Sequence, residues 1–69
     1  MILNFATRRD TNGNRYYLVV DTERKAFAET SGKFYHEGEY IQITRRERRA
    51  IKEKARADGY EELTYFQTL

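Results

Sequence analysis

Thr44-Arg45-Arg46-Glu47-Arg48-Arg49-Ala50-Ile51-Lys52-Glu53-Lys54-Ala55-Arg56-Ala57-Asp58-Gly59 is the stretch whose reading sets the fold. Thr44 followed three residues later by Glu47 makes a capping box: the hydroxyl accepts from the third helical amide while the carboxylate reaches back to the threonine amide. Residues 45 to 57 are good helix formers without Gly or Pro, and Asp58-Gly59 supplies a left-handed stop. At 100° per residue the apolar face of this helix is narrow, formed by Ile51 and Ala55 and flanked by Glu47 and Arg48. So thin a face requires bulky side chains opposite, which a sheet rich in aromatics can provide.

Strands are expected on both sides of the helix. Ile2 to Thr7 alternates, with Leu3 and Phe5 on one face and Asn4 and Ala6 on the other. The cluster Asp10 to Asn14 contains Asn-Gly and reads as a hairpin turn into Arg15 to Asp21. Tyr16-Tyr17-Leu18-Val19-Val20 is apolar on both faces, the mark of a central strand or of one whose outer face is covered, for instance by another subunit. Asp21 to Lys25 turns the chain into a third short strand, Lys25 to Glu29, closed by Ser31-Gly32. Lys33-Phe34-Tyr35 continues that hairpin or forms a loop, Gly38 marks a bend, and Glu39 to Ile43 is a fourth strand with Ile41 and Ile43 inward. After the helix, Tyr60 to Gln67 offers a last strand through Leu63, Tyr65 and Phe66.

The fold class that follows is α+β, in the order β-β-β-β-α-β: an antiparallel sheet of four to five strands with one helix, in the C-terminal half, packed on one face. Residues 1–69 read as one domain, with a core of Leu3, Phe5, Leu18, Val20, Ile41, Ile43, Ile51, Ala55 and Leu63. A chain of this size buries only about 60% of its unfolded surface, so six Tyr and four Phe carry much of the packing. There is no Cys, which excludes disulfides and thiolate-ligated metal and points to a reducing compartment, the cytoplasm. The longest apolar stretch, Tyr16 to Val20, is far too short to cross a bilayer, and the N-terminus lacks a signal-peptide pattern, so no membrane partner is expected.

Catalytic chemistry finds little to stand on. The one His, His36, lies with Glu37 and Glu39 on a segment where neighbouring residues point to opposite faces, not the spacing of a ligand set. Glu61 and Glu62 alternate in the same way, and Gly13, Gly32, Gly38 and Gly59 form no phosphate-cradling loop. The expectation is a protein that is not an enzyme, with no cofactor and no metal.

Charge is more informative. Residues 44 to 58 hold seven Lys or Arg against three acids, leaving six against eight elsewhere. On the helix Arg45, Arg49, Lys52 and Arg56 fall within about 60° of arc and span about 16 Å, pointing away from the packing side and able to meet several phosphates. Small domains also carry such faces simply as solvated surface, with Glu47, Glu53 and Asp58 in pairing reach. Docking on an acidic protein surface is a further use such a stripe could have. Tyr16, Tyr17, Tyr35, Tyr40, Tyr60 and Tyr65 resemble a base-stacking surface in composition, although core packing accounts for them more simply. Zinc-finger spacing, a second helix for a helix-turn-helix and the aromatic octapeptide of RNA-recognition domains are all missing. The leading expectation is a small accessory protein that contacts nucleic acid through Arg45, Arg49, Lys52 and Arg56. The alternative is a protein-interaction or homo-oligomerising module that uses a strand edge or the outer face of Tyr16 to Val20.

Overall fold

Two polar turns fold the first half of the chain into a meander. In the first, the Asp10 carboxylate accepts the amides of Asn12 and Asn14, both at 2.9 Å, and Gly13 takes a φ of 80°. In the second, the buried Asp21 carboxylate accepts the amides of Glu23 and Arg24 at 3.0 and 3.1 Å. These turns join β1 (Ile2–Thr7), β2 (Arg15–Asp21) and β3 (Ala26–Gly32), each antiparallel to the next. The computed structural model describes residues 1–32 and 39–64; beyond the meander it contains β4 (Ile41–Ile43), α1 (Arg45–Ala57) and β5 (Glu61–Leu63). The expectations for Lys33 to Tyr35, His36, Gly38, Tyr65 and Phe66 lie outside the described residues.

The second turn carries a strained residue. Lys25 sits at φ 53°, left-handed backbone that costs a residue with a Cβ on the order of 1 kcal/mol. Its side chain is exposed, and its carbonyl accepts the Glu61 amide at 2.9 Å, a bond that glycine would keep. Lys25→Gly is therefore expected to raise stability by about 0.5–1 kcal/mol, read as a higher urea midpoint. A lower midpoint would mean that glycine's greater freedom in the unfolded chain outweighs the relief.

The sheet has five strands in the order β4-β1-β2-β3-β5, and it is mixed rather than antiparallel throughout. β4 lies parallel to β1, with Phe5 opposite Ile41 and Thr7 opposite Ile43, and β5 lies parallel to β3. Both deviations follow from connections longer than a hairpin. Eight residues, 33–40, separate β3 from β4, and α1 is a crossover, the kind of connection that leaves the strands on either side of it running the same way. The two parallel strands are the sheet's edges and are only three residues long, which limits the open backbone they present.

α1 starts where β4 stops and runs across the sheet to reach β5 on the far edge. Beneath it Leu18, Val20, Phe27 and Ala55 form the buried cluster, with Leu3, Phe5, Ile51 and Tyr60 packed around it. Two members of the expected core change. Ile41, at 54% exposure, sits at the start of β4, which the departing helix leaves uncovered, and Leu63 is only partly buried, on the face away from α1. Phe27 replaces them at the centre. On the opposite face Ala6, Tyr17, Ala26 and Ala28 are buried.

Candidate nucleic-acid interface

The capping box forms as its residues demand: the Glu47 amide donates to the Thr44 hydroxyl and the Thr44 amide to the Glu47 carboxylate, both at 3.0 Å. This starts α1 at the end of the sheet where β1 and β4 terminate, and it sets the rotation of every basic side chain that follows.

That rotation turns Lys52 of the basic stripe, with its neighbour Arg48, toward the sheet. Lys52 does not face away from the packing side: its side chain is only 16% exposed, and its Nζ lies 3.3 Å from Glu29 on β3. The other Glu29 oxygen accepts from Arg48 at 2.6 Å, and the Arg48 guanidinium stacks 4.2 Å from the centre of the Tyr16 ring. Arg56 donates from Nε and Nη2 to Glu62 on β5, at 3.2 and 2.9 Å. Arg45 is looser, 3.8 Å from Asp10 with its side chain half exposed. Arg49 is exposed and makes no ion pair among the described residues. A helix with so narrow an apolar face docks by laying long basic stems across the sheet and meeting its acids.

Exposed arginines gather at the N-terminal end of the helix. Arg45, Arg46 and Arg49 are exposed there at i, i+1 and i+4 spacing, so they share one side of the first turns. Arg45 also borders an open cleft of about 430 Å³ at the carboxyl ends of the parallel pair β1 and β4, with Arg8, Arg9, Gln42 and Thr44. Arg8 and Arg9 follow directly on β1, and both are exposed. The two acids bordering the cleft are already engaged, Asp10 with its turn amides and Glu47 in the capping box. The pairing that brings Arg8 and Arg9 beside the helix start and Arg46, Thr7 opposite Ile43, is long-range and leaves no local signal in the sequence.

No family model, curated protein or solved structure matches the chain. Among the described residues, no group of three His, Cys, Asp or Glu side chains is placed to hold a metal ion. No described helix is long and apolar enough to cross a membrane. Of the tyrosines, Tyr17 is buried, Tyr16 and Tyr60 are half-buried around the helix, and Tyr40 is exposed.

Proposed function

We propose that this is a non-enzymatic accessory module that contacts the nucleic-acid backbone through Arg45, Arg46 and Arg49, with Arg8 and Arg9 across the cleft. The observation that supports it is the contrast between two sets of cations. Arg48, Lys52 and Arg56 are held by sheet acids, whereas five guanidinium-bearing residues stand exposed around one end of the molecule. Guanidinium forks match phosphate oxygens, and a group of them gives affinity without sequence readout. Relative to the stripe expected from sequence, Arg45 and Arg49 stay in the interface, while Lys52 and Arg56 serve to dock the helix.

The test is fluorescence anisotropy with labelled oligonucleotides across a salt series. Each lost phosphate contact is expected to reduce the log–log salt slope by about 0.7–0.9, so Arg46→Glu/Arg49→Glu should flatten it by roughly 1.5 and weaken binding at least about tenfold. Lys52→Met should leave the slope unchanged. Equal affinity and slope in the wild type and the double reversal would overturn the reading. A second reading, self-association along β4, draws on Ile41, an exposed apolar side chain on a free edge strand. Concentration-dependent dimerisation in light scattering, without nucleic-acid binding at low salt, would favour it.

A further inference from the structure

The face of the sheet turned away from α1 holds a cation that no acid among the described residues neutralises. Tyr16 meets the helix arginines, so strand alternation puts Arg15 and Tyr17 on the opposite face. Arg15 is half-buried and fixed from several sides. Its Nε donates to the Thr7 carbonyl at 2.8 Å and its Nη1 to the Tyr40 hydroxyl at 3.0 Å. The guanidinium carbon lies 5.4 Å from the centre of the Tyr17 ring and 4.8 Å from that of Tyr40, and the two rings meet edge to face at 5.9 Å. A guanidinium carries five N–H donors, so three of those of Arg15 remain after these two bonds. No carboxylate pairs with it among the described residues, whereas the comparably placed Arg48 and Lys52 share Glu29. Tyr40 keeps 36% of its surface exposed beside it.

Arg15 also adjoins the interface proposed above, because the Thr7 residue whose carbonyl holds it borders the cleft with Arg8 and Arg45. The cationic surface therefore begins on the helix side, passes over the ends of β1 and β4 and continues onto the other face of the sheet. The shortest dimension of the molecule is 19 Å. Duplex DNA is stiff over about 150 base pairs and cannot turn round an end of that size, so it would touch one face or the other. A single strand can follow the turn, and its unpaired bases can stack on an exposed ring.

We propose that the nucleic acid bound is single-stranded, with a phosphate on the remaining Arg15 donors and a neighbouring base against Tyr40. This rests on the backbone-contact reading above. It assigns Arg15 as a phosphate fork, held in place before binding by Thr7 and Tyr40, and Tyr40 as the stacking residue.

The experiment compares labelled oligo(dT), oligo(U) and a duplex of equal length by anisotropy at one salt concentration. It uses the wild type, Tyr40→Ala, Tyr40→Trp, Arg15→Gln and the Arg46→Glu/Arg49→Glu reversal. Both single strands are expected to bind the wild type at least about tenfold tighter than the duplex. Tyr40→Ala and Arg15→Gln should each remove roughly tenfold or more of that affinity, while Tyr40→Trp, which keeps an aromatic face, should retain it. Because Tyr40→Ala also removes a bond to Arg15, a second readout uses the wild type alone. The ring resonances of Tyr40, assigned through Tyr40→Phe, should shift on titration with oligo(dT).

Duplex binding equal to or tighter than single-strand binding would overturn the inference. So would unshifted Tyr40 resonances at saturation, or neutral Tyr40→Ala and Arg15→Gln alongside a damaging helix reversal; each of these leaves the backbone-contact reading intact. No binding of any oligonucleotide at low salt would overturn both, and capture of an acidic peptide instead would assign the same arginines to a protein partner.

Discussion

Phe27→Ala is expected to lower stability by about 3–5 kcal/mol, the range seen when a fully enclosed aromatic ring is deleted. At about 0.05–0.15 kcal/mol per residue, a small domain of this length has only roughly 3–10 kcal/mol in total, so the variant loses much or all of its margin. Phe27 is 0% exposed, stands opposite Val20 in the β2–β3 pairing, and packs in one cluster with Leu18 and Ala55. The space left behind has little means of closing. Its floor is sheet backbone held by hydrogen bonds on both sides of β3, and the helix contributes a methyl group at Ala55, too short to reach in. Circular dichroism during urea unfolding should show a shallow or absent transition at 25 °C for Phe27→Ala. Ile41→Ala, at a position 54% exposed, should stay within about 0.5 kcal/mol of the wild type. A loss under 1 kcal/mol for Phe27→Ala would mean that the ring is not the centre of the core.

That contrast shows which parts of the fold were legible in the sequence. The helix limits could be read from residues that act within one turn: Thr44 and Glu47 at the start, Asp58 and Gly59 at the end, with Gly59 at φ 81°. The first hairpin was legible for the same reason, since Asp10 and Gly13 settle their own turn. Strand direction at β4 and β5 was not, because it depends on where the chain re-enters the sheet. Phe27 and Ile41 exchanged places because alternation identifies which residues share a face but not how far the helix covers it. The inward turn of Lys52 was hidden for a related reason. A helical wheel correctly groups Arg45, Arg49, Lys52 and Arg56, yet it has no knowledge of Glu29 and Glu62 beneath them. Glu29 did leave a trace: it lies two residues after Phe27 and hence on the same face, an acid placed where the helix must pack.

Glu29→Ala is the second large effect, expected to cost about 2–3 kcal/mol. Removing one partner of a buried ion pair costs roughly 3–5 kcal/mol, mainly by stranding the opposite charge. Here the side chains of Arg48, Lys52 and Glu29 are 12%, 16% and 18% exposed, so some water reaches them and the figure falls below that range. Two cations rather than one would be stranded, and the Arg48 Nε is already buried without a hydrogen-bond partner among the described residues. The cost should therefore come from Arg48 and Lys52 rather than from Glu29 itself. In an Arg48→Met/Lys52→Met background, Glu29→Met should be neutral or stabilising by urea unfolding, because methionine packs well and no charge remains to be stranded. Equal costs in both backgrounds would show that Glu29 acts alone. The milder Glu29→Gln connects stability with binding. It keeps an oxygen acceptor but releases the electrostatic hold on Arg48 and Lys52, raising the positive charge on the flank of α1 that faces β3. If the nucleic-acid backbone runs from Arg45, Arg46 and Arg49 over the sheet end to Arg15, that flank lies off its path, and the log–log salt slope of Glu29→Gln should match the wild type. A steeper slope would move the path onto the groove between α1 and β3 and restore Lys52 to the interface.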